Sequence, residues 1–334
     1  MRTVPLGDAG MRASVLGFGC SAILGRVGRK DSLAALGAAY DAGITLYDTA
    51  RSYGYGESET LLGEFFRGRR DSIILSTKFG IVPAQTSLFK ETVKPLARKV
   101  LRLFPRARKA VQKQIGAQFS QNNFTVPVLR SSIETSLRKL QTDYVDLLFM
   151  HSAPVSVLQQ EDLLAALEQL VTEGKVRRFG ISSHPPVIEA ALAAHLPGLH
   201  SVQFPCNLFD LKIAQRLAAD GRDIIAIANH PFGGAQRIAE SKALLTSLSR
   251  DPNAPASLSE KLRVVDDAAL ADVVLNAITR NTNIQVVIPS MMRPDHLRAN
   301  VAAIERSHFS SEELHWLRNA ISETRTHHEH RPDS

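Results

Sequence analysis

Cysteine is scarce in this 334-residue chain: Cys20 and Cys206 are the only two, and they form no Cys-x-x-Cys pair. A disulfide framework and a cysteine-built zinc site are therefore excluded, and a reducing, cytoplasmic setting is expected. Long apolar runs are missing too, and none approaches the roughly 20 residues that cross a bilayer. The opening stretch Met1-Arg-Thr-Val-Pro-Leu-Gly-Asp8 has no apolar signal core, which again points to the cytoplasm. Charge of one sign is absent from most of the chain. The net charge is +7, yet residues 90–113 hold nine basic groups (Lys90, Lys94, Arg98, Lys99, Arg102, Arg106, Arg108, Lys109 and Lys113) against Glu91 alone. That segment carries +8, so the remainder sums to −1. A near-neutral body with one basic insertion is not a general nucleic-acid binder. Hydrophobic residues at 44% and charged residues at 22% are ordinary for a globular protein.

What is present is a regular alternation. Short, almost continuously apolar runs stand at 13–18, 44–48, 72–77, 145–150, 177–182, 201–205, 223–228 and 284–289, and such runs mark strands buried on both faces. Amphipathic stretches, such as those at 32–42, 127–140, 163–173, 187–194, 212–219, 266–279 and 294–305, have helical spacing, and Gly43, Gly174 and Gly221 stand where three of them should end. Eight strand-then-helix units predict an α/β chain folded as a (β/α)8 TIM barrel. Residues 3–6, followed by Gly7-Asp-Ala-Gly10, predict an N-terminal hairpin with the strand that starts near Ala13. One barrel domain is expected over residues 1–325, with a long insertion at about 81–125 after the third strand and a polar tail over 326–334.

The runner-up is a doubly wound sheet, because Gly17-Phe-Gly19-Cys-Ser-Ala22 resembles a dinucleotide fingerprint. In that fold the helix would open at the third position, whereas here it is expected only near Asp31. Asp48 also lies about thirty residues past the glycines, where the fingerprint wants about twenty. The glycines are read instead as a strand-end turn.

In a barrel the reactive groups gather at the carboxyl ends of the strands. Asp48 closes the second strand, with Tyr53 five residues on; Lys78 closes the third and His151 the fourth. A carboxylate, a phenol, an amine and an imidazole thus converge on one mouth. Singly, each has a plain structural reading, and Tyr55 is taken as a rim aromatic. Together they suit the protonation of an oxygen that becomes alkoxide as hydride reaches its carbon. A lysine ammonium about 4 Å from a phenol stabilises the phenolate by roughly 4 kcal/mol at an effective dielectric of about 20. That predicts a phenol lowered by up to about three pH units, with Asp48 keeping Lys78 charged and His151 holding the carbonyl oxygen.

The pattern resembles the aldo-keto reductase family. The likeness runs from Leu16-Gly-Phe-Gly19 through the segment from Tyr47 to Gly63, Ser76-Thr-Lys78, residues 142–148 with His151, Gly180-Ile-Ser-Ser183 and Gln203, to Val287-Ile-Pro-Ser290 with Pro294 and Asn300. The resemblance implies Tyr53 as general acid, Lys78 and Asp48 as its tuning pair and His151 as carbonyl orienter. It also implies a nicotinamide cofactor across the barrel mouth, its carboxamide held by Ser182, Ser183 and Gln203. Ser183 stands where asparagine is usual, and Asn229 where the family commonly places a tyrosine under the nicotinamide ring. Ser290, Arg293, His296 and Asn300, with Arg298 nearby, follow the last strand where a 2′-phosphate would lie, so NADP(H) is favoured over NAD(H). The implied activity is NAD(P)H-dependent reduction of a small aldehyde or ketone to the alcohol, or the reverse.

Other readings stay open at this stage. His151, His184 and His230 at strand ends would suit a metal-dependent barrel hydrolase, although no metal-ligand spacing is visible and no metal is expected. A cofactor-sensing, non-catalytic subunit and a Schiff-base aldolase using Lys78 are further alternatives. The basic segment reads either as a lid that recruits an acidic substrate or a membrane surface, or as a solvated amphipathic helix beside the barrel. Phe79, Phe119, Phe124, Phe204 and Phe232 read as aromatics of the core or the rim, with lining of the substrate pocket as the alternative.

Overall fold

Successive residues of a strand point to opposite faces, so alternation decides which side chains fill a barrel. In the computed structural model, which describes residues 1–7, 10–25, 27–81, 123–196, 198–280 and 282–329, eight strands run parallel in chain order. They are β3 (Gly17–Gly19), β4 (Leu46–Asp48), β5 (Ile74–Phe79), β6 (Val145–His151), β7 (Val176–Ser182), β8 (Ser201–Pro205), β9 (Ile225–Asn229) and β10 (Val286–Ile288). A parallel bridge between Leu16 and Val287, with the Val287 N–H donating to the Val15 carbonyl at 2.9 Å, brings β10 back to β3 and closes the (β/α)8 barrel.

Around it stand α1 (Arg29–Asp41), α2 (Ser58–Phe65), α3 (Val126–Leu140), α4 (Glu161–Thr172), α5 (Pro185–Ala193), α6 (Lys212–Asp220), α7 (Ala235–Leu248), α8 (Ala256–Lys261), α9 (Asp267–Thr279), α10 (Pro294–Glu305) and α11 (Ser311–Glu329). A large apolar layer, including Phe18, Leu36, Leu75, Phe79, Phe124, Leu148, Phe179, Phe204 and Val287, joins these helices to the outer faces of the strands. Phe232 packs against that layer, and Phe119 lies outside the described residues.

The barrel interior has its own cluster: Leu46, Ile74, Leu147, Phe149, Ile225, Ile227, Val286 and Ile288. Leu6, Met11 and Ala13 belong to it as well. They come from β1 (Thr3–Leu6) and β2 (Met11–Ser14), which pair antiparallel as a hairpin. Because Leu46, Ile74 and Ile225 open their strands, the hairpin stoppers the amino-terminal end of the barrel.

Several expectations are corrected by the structure. The run at 13–18 is divided: its start belongs to the hairpin, and it joins the barrel at the Leu16 bridge and the strand that begins at Gly17. The glycines are strand rather than turn. A Cβ on Gly17 would meet the Ile288 and Leu46 side chains at 2.9 Å, so its absence makes room for inward neighbours. Helices α2, α7, α8 and α11 were not anticipated, and α11 continues to Glu329, into the stretch expected to be tail. The basic insertion, with both of its readings, lies outside the described residues.

Candidate active site

The inward positions change character along each strand. In β5 they run Ile74, Ser76, Lys78, in β4 Leu46, Asp48, and in β9 Ile225, Ile227, Asn229. Apolar side chains occupy the stoppered end and polar ones the carboxyl end, where loops leave the barrel.

Asp48 and Lys78 are the centre of the polar end, 5% and 2% exposed. Lys78 Nζ donates to both carboxylate oxygens of Asp48, at 2.7 Å to Oδ1 and 2.6 Å to Oδ2, and to the Thr49 carbonyl at 2.9 Å. Burial alone would depress the ammonium, but Asp48 and Tyr53 outweigh it and hold Lys78 above its ordinary range. Lys78 is therefore a fixed cation. A Schiff base needs a neutral amine, so this environment disfavours the aldolase reading.

Tyr53 reaches the pair from a tight turn, Tyr53–Gly56, which follows β4 and feeds α2. Gly54 has φ +59, and a Cβ there would approach the Ile23 carbonyl to 2.7 Å, so only glycine permits this path. The turn is fastened behind by Lys139, which donates to the Gly56 carbonyl, and by buried Glu59, which accepts from Thr77 Oγ1 at 2.7 Å. Lys78 Nζ lies 5.0 Å from the centre of the Tyr53 ring, and the His151 ring meets that ring edge-on at 5.9 Å. The four groups expected from three separate strands are thus in one cluster.

The expected fall in the phenol's pKa is overturned. Burial is the largest influence on Tyr53 and pushes it up; the Lys78 charge and hydrogen bond pull it down, and Asp48 opposes them, leaving the phenol above its ordinary value. The expectation counted the cation and left out both the dry surroundings and the neighbouring anion. Burial and then Lys78 push the His151 imidazole down to about 3, so it is neutral near pH 7.

Beyond this cluster the residues separate into two groups. Ser182 Oγ donates to Gln203 Oε1 at 2.6 Å, and Gln203 Nε2 donates to Asp48 Oδ1 at 2.9 Å. Since β8 stands four places from β4 around the ring, Gln203 reaches across the barrel to Asp48. Ser183, by contrast, turns its hydroxyl to the Ala153 carbonyl at 3.0 Å. Asn229 is half-buried at the end of β9 and its Oδ1 meets His230 Nδ1 at 2.9 Å. Past β10, Ser290, Arg293, His296 and Arg298 are exposed, while Asn300 is buried in α10. Arg293 is paired with Asp295, its Nε 3.1 Å from Oδ1.

The sequence reading missed Ser76. It is wholly buried and its Oγ donates to Asp48 Oδ1 at 2.7 Å. The signal was available, because Ser76 lies two residues before Lys78 and so on the same face of the strand. His184 and His230, proposed as metal ligands with His151, are exposed, and among the described residues no cluster of three His, Cys, Asp or Glu side chains suits a metal ion.

A sequence model of the aldo/keto reductase family matches residues 15–321. The chain is 30% identical over 229 residues to the aldo-keto reductase YhdN of Bacillus subtilis (strain 168), a match covering 67% of this chain and 59% of that protein, under two thirds of the relative's length. It is 26% identical over 326 residues to the probable aldo-keto reductase 1 of Glycine max, covering 91% and 84% of the two chains. Among solved structures it is similar to the aldo-keto reductase AKR11C1 from Bacillus halodurans in its holo form, with a TM-score of 0.67 and 24% identity over 97% of this chain and 96% of the other. At that identity the likeness concerns the fold.

Proposed function

Because this chain belongs to the aldo/keto reductase family of oxidoreductases that act on carbonyl compounds, we propose that it reduces an aldehyde or ketone with a nicotinamide cofactor and Tyr53 as the proton donor. The observation that carries the reading is the buried Asp48–Lys78 ion pair set against the Tyr53 ring at the carboxyl end of the barrel.

The residues suit a nicotinamide by their donor set. A primary amide has two N–H groups and a carbonyl with two lone pairs. Ser182 occupies one lone pair of Gln203 and Asp48 one of its N–H groups, which leaves one of each, the complement of a carboxamide. Ser182 and Gln203 would hold that group, with Ser183 and Asn229 beside it at neighbouring strand ends. Arg293 and Arg298, with Ser290, His296 and Asn300 at the start of α10, would meet the adenosine end, and we favour NADP(H) over NAD(H) there. A bound reduced nicotinamide supplies the hydride.

The remaining chemistry falls to the side chains. A phenol held above its ordinary value is fully protonated near pH 7, so Tyr53 carries the proton that the carbonyl oxygen needs as it becomes alkoxide. Lys78 then stabilises the phenolate left behind, and Asp48 keeps Lys78 charged and in place. Neutral His151 presents an N–H to orient the carbonyl oxygen. Both cysteines are free and buried, which agrees with a reducing cytoplasm, and among the described residues no helix is long and apolar enough to cross a membrane.

The test is Tyr53→Phe, assayed with a panel of aldehydes and ketones by cofactor absorbance. Turnover is expected to fall by about 100-fold or more, the usual worth of a positioned acid, with cofactor affinity retained. Turnover that stays within about tenfold of the parent removes Tyr53 as the acid, and none on any substrate in either protein favours the cofactor-sensing subunit.

A further inference from the structure

Asp48 Oδ1 is more heavily solvated by protein than its partner oxygen. It accepts from Lys78 at 2.7 Å, from Ser76 at 2.7 Å and from Gln203 at 2.9 Å, whereas the bond found on Oδ2 is that from Lys78. Ser76 is 0% exposed and Gln203 1%, so both are built into the site. The backbone register sets Asp48 directly across from Ser76 in the β4–β5 pair. The two strands are already joined by their ladder, and the hydroxyl is not needed to hold them together.

We infer that Ser76 is a positioning residue for proton transfer: its hydroxyl draws part of the Asp48 charge away from Lys78 and so leaves more of the lysine's field for the Tyr53 phenol. The inference deepens, and rests on, the reading of Tyr53 as the proton donor. The physics is a competition. A cation fully neutralised by its own carboxylate offers little to a third group, and each extra donor on that carboxylate weakens the neutralisation. Lys78 and Asp48 do act on Tyr53 in opposite directions. The other groups near the phenol, His151 from β6 and Cys20 just after β3, are neutral near pH 7, the thiol being buried and raised well above its ordinary value. The ion pair is therefore the adjustable source of field, and Ser76 adjusts it.

The test follows the phenol itself. Tyrosine labelled with 13C at Cζ gives five signals in the cofactor-free protein, and the Tyr53 signal is the one lost in Tyr53→Phe. In Ser76→Ala that signal is expected to titrate at higher pH than in the parent by about half a unit or more, equivalent to roughly threefold in the protonation equilibrium. Ser76→Cys, a weaker donor of similar size, should move the same way, and Ser76→Thr, which restores the hydroxyl, should titrate with the parent. The pH limb of benzyl alcohol oxidation, where Tyr53 must accept a proton, should follow the same order. Coincident curves for the parent, Ser76→Ala and Ser76→Cys overturn the inference, including curves that show no Tyr53 titration below the pH of unfolding. If Tyr53→Phe keeps its turnover, the reading of Tyr53 as acid falls instead, whatever the titrations show.

Discussion

The two ends of the barrel interior are built from the same strands and obey opposite rules. At the stoppered end, Leu46, Ile74, Leu147, Phe149 and Ile225 pack with Leu6, Met11 and Ala13 into an apolar plug. Two residues further along, the strands present Asp48, Ser76, His151 and Ile227, and beyond them Lys78 and Asn229. The plug gains from burial alone. The polar end keeps a carboxylate and an ammonium out of water, which favours folding only while each has its partner. The difference teaches a division of labour: one end holds the barrel together, and the other spends part of that stability on chemistry.

Four substitutions sharpen this contrast. Lys78→Met should strike both functions at once. It leaves Asp48 buried and unpaired, which costs about 3–5 kcal/mol. Turnover should drop by about 100-fold or more, and thermal unfolding with a carbonyl assay checks both effects. Leu147→Ala should strike only the plug, lowering stability by about 2–5 kcal/mol while the folded fraction keeps its kcat. If Leu147→Ala abolished turnover in the folded protein, the separation of the two ends would be lost.

The third test uses acid. His151 is held near 3 in the folded chain against an ordinary 6.5, so the unfolded chain binds the proton more readily. The stability tied to this group is complete above about 6.5 and is lost as the pH falls from there toward 3. His151→Gln should flatten that part of the stability profile, as denaturant unfolding between those limits would reveal. The smallest effect is expected at Arg293. It already shares its charge with Asp295, so Arg293→Ala should shift the ratio of NADP+ to NAD+ dissociation constants toward NAD+ by only about threefold to tenfold. An unchanged ratio would remove Arg293 from the 2′-phosphate.

Much of this architecture is legible in the chain because buried parallel strands are nearly continuous apolar runs, and the polar residues that close them stand out. Asp48, Lys78 and His151 are visible for that reason. Gly17 and Gly19 misled, since glycine is used there to admit Ile288 and Leu46, a requirement set by strands far away in sequence. Helix α2 was hidden because its eight residues follow directly on the Tyr53 turn. The behaviour of the phenol was misjudged because a pairwise estimate between Lys78 and Tyr53 contains neither desolvation nor the competing carboxylate. The bond from Gln203 to Asp48 joins residues 155 positions apart, and only closure of the ring reveals it.

That same bond bears on protein engineering. Asp48 and Lys78 look like a portable cassette carried by two adjacent strands, yet the carboxylate is also gripped from the far wall of the ring. A graft of β4 and β5 into another scaffold would bring the ions without the brace from β8, and the transplanted anion would be free to turn away from its intended place. Moving this ion pair to a new host therefore means moving three strands together.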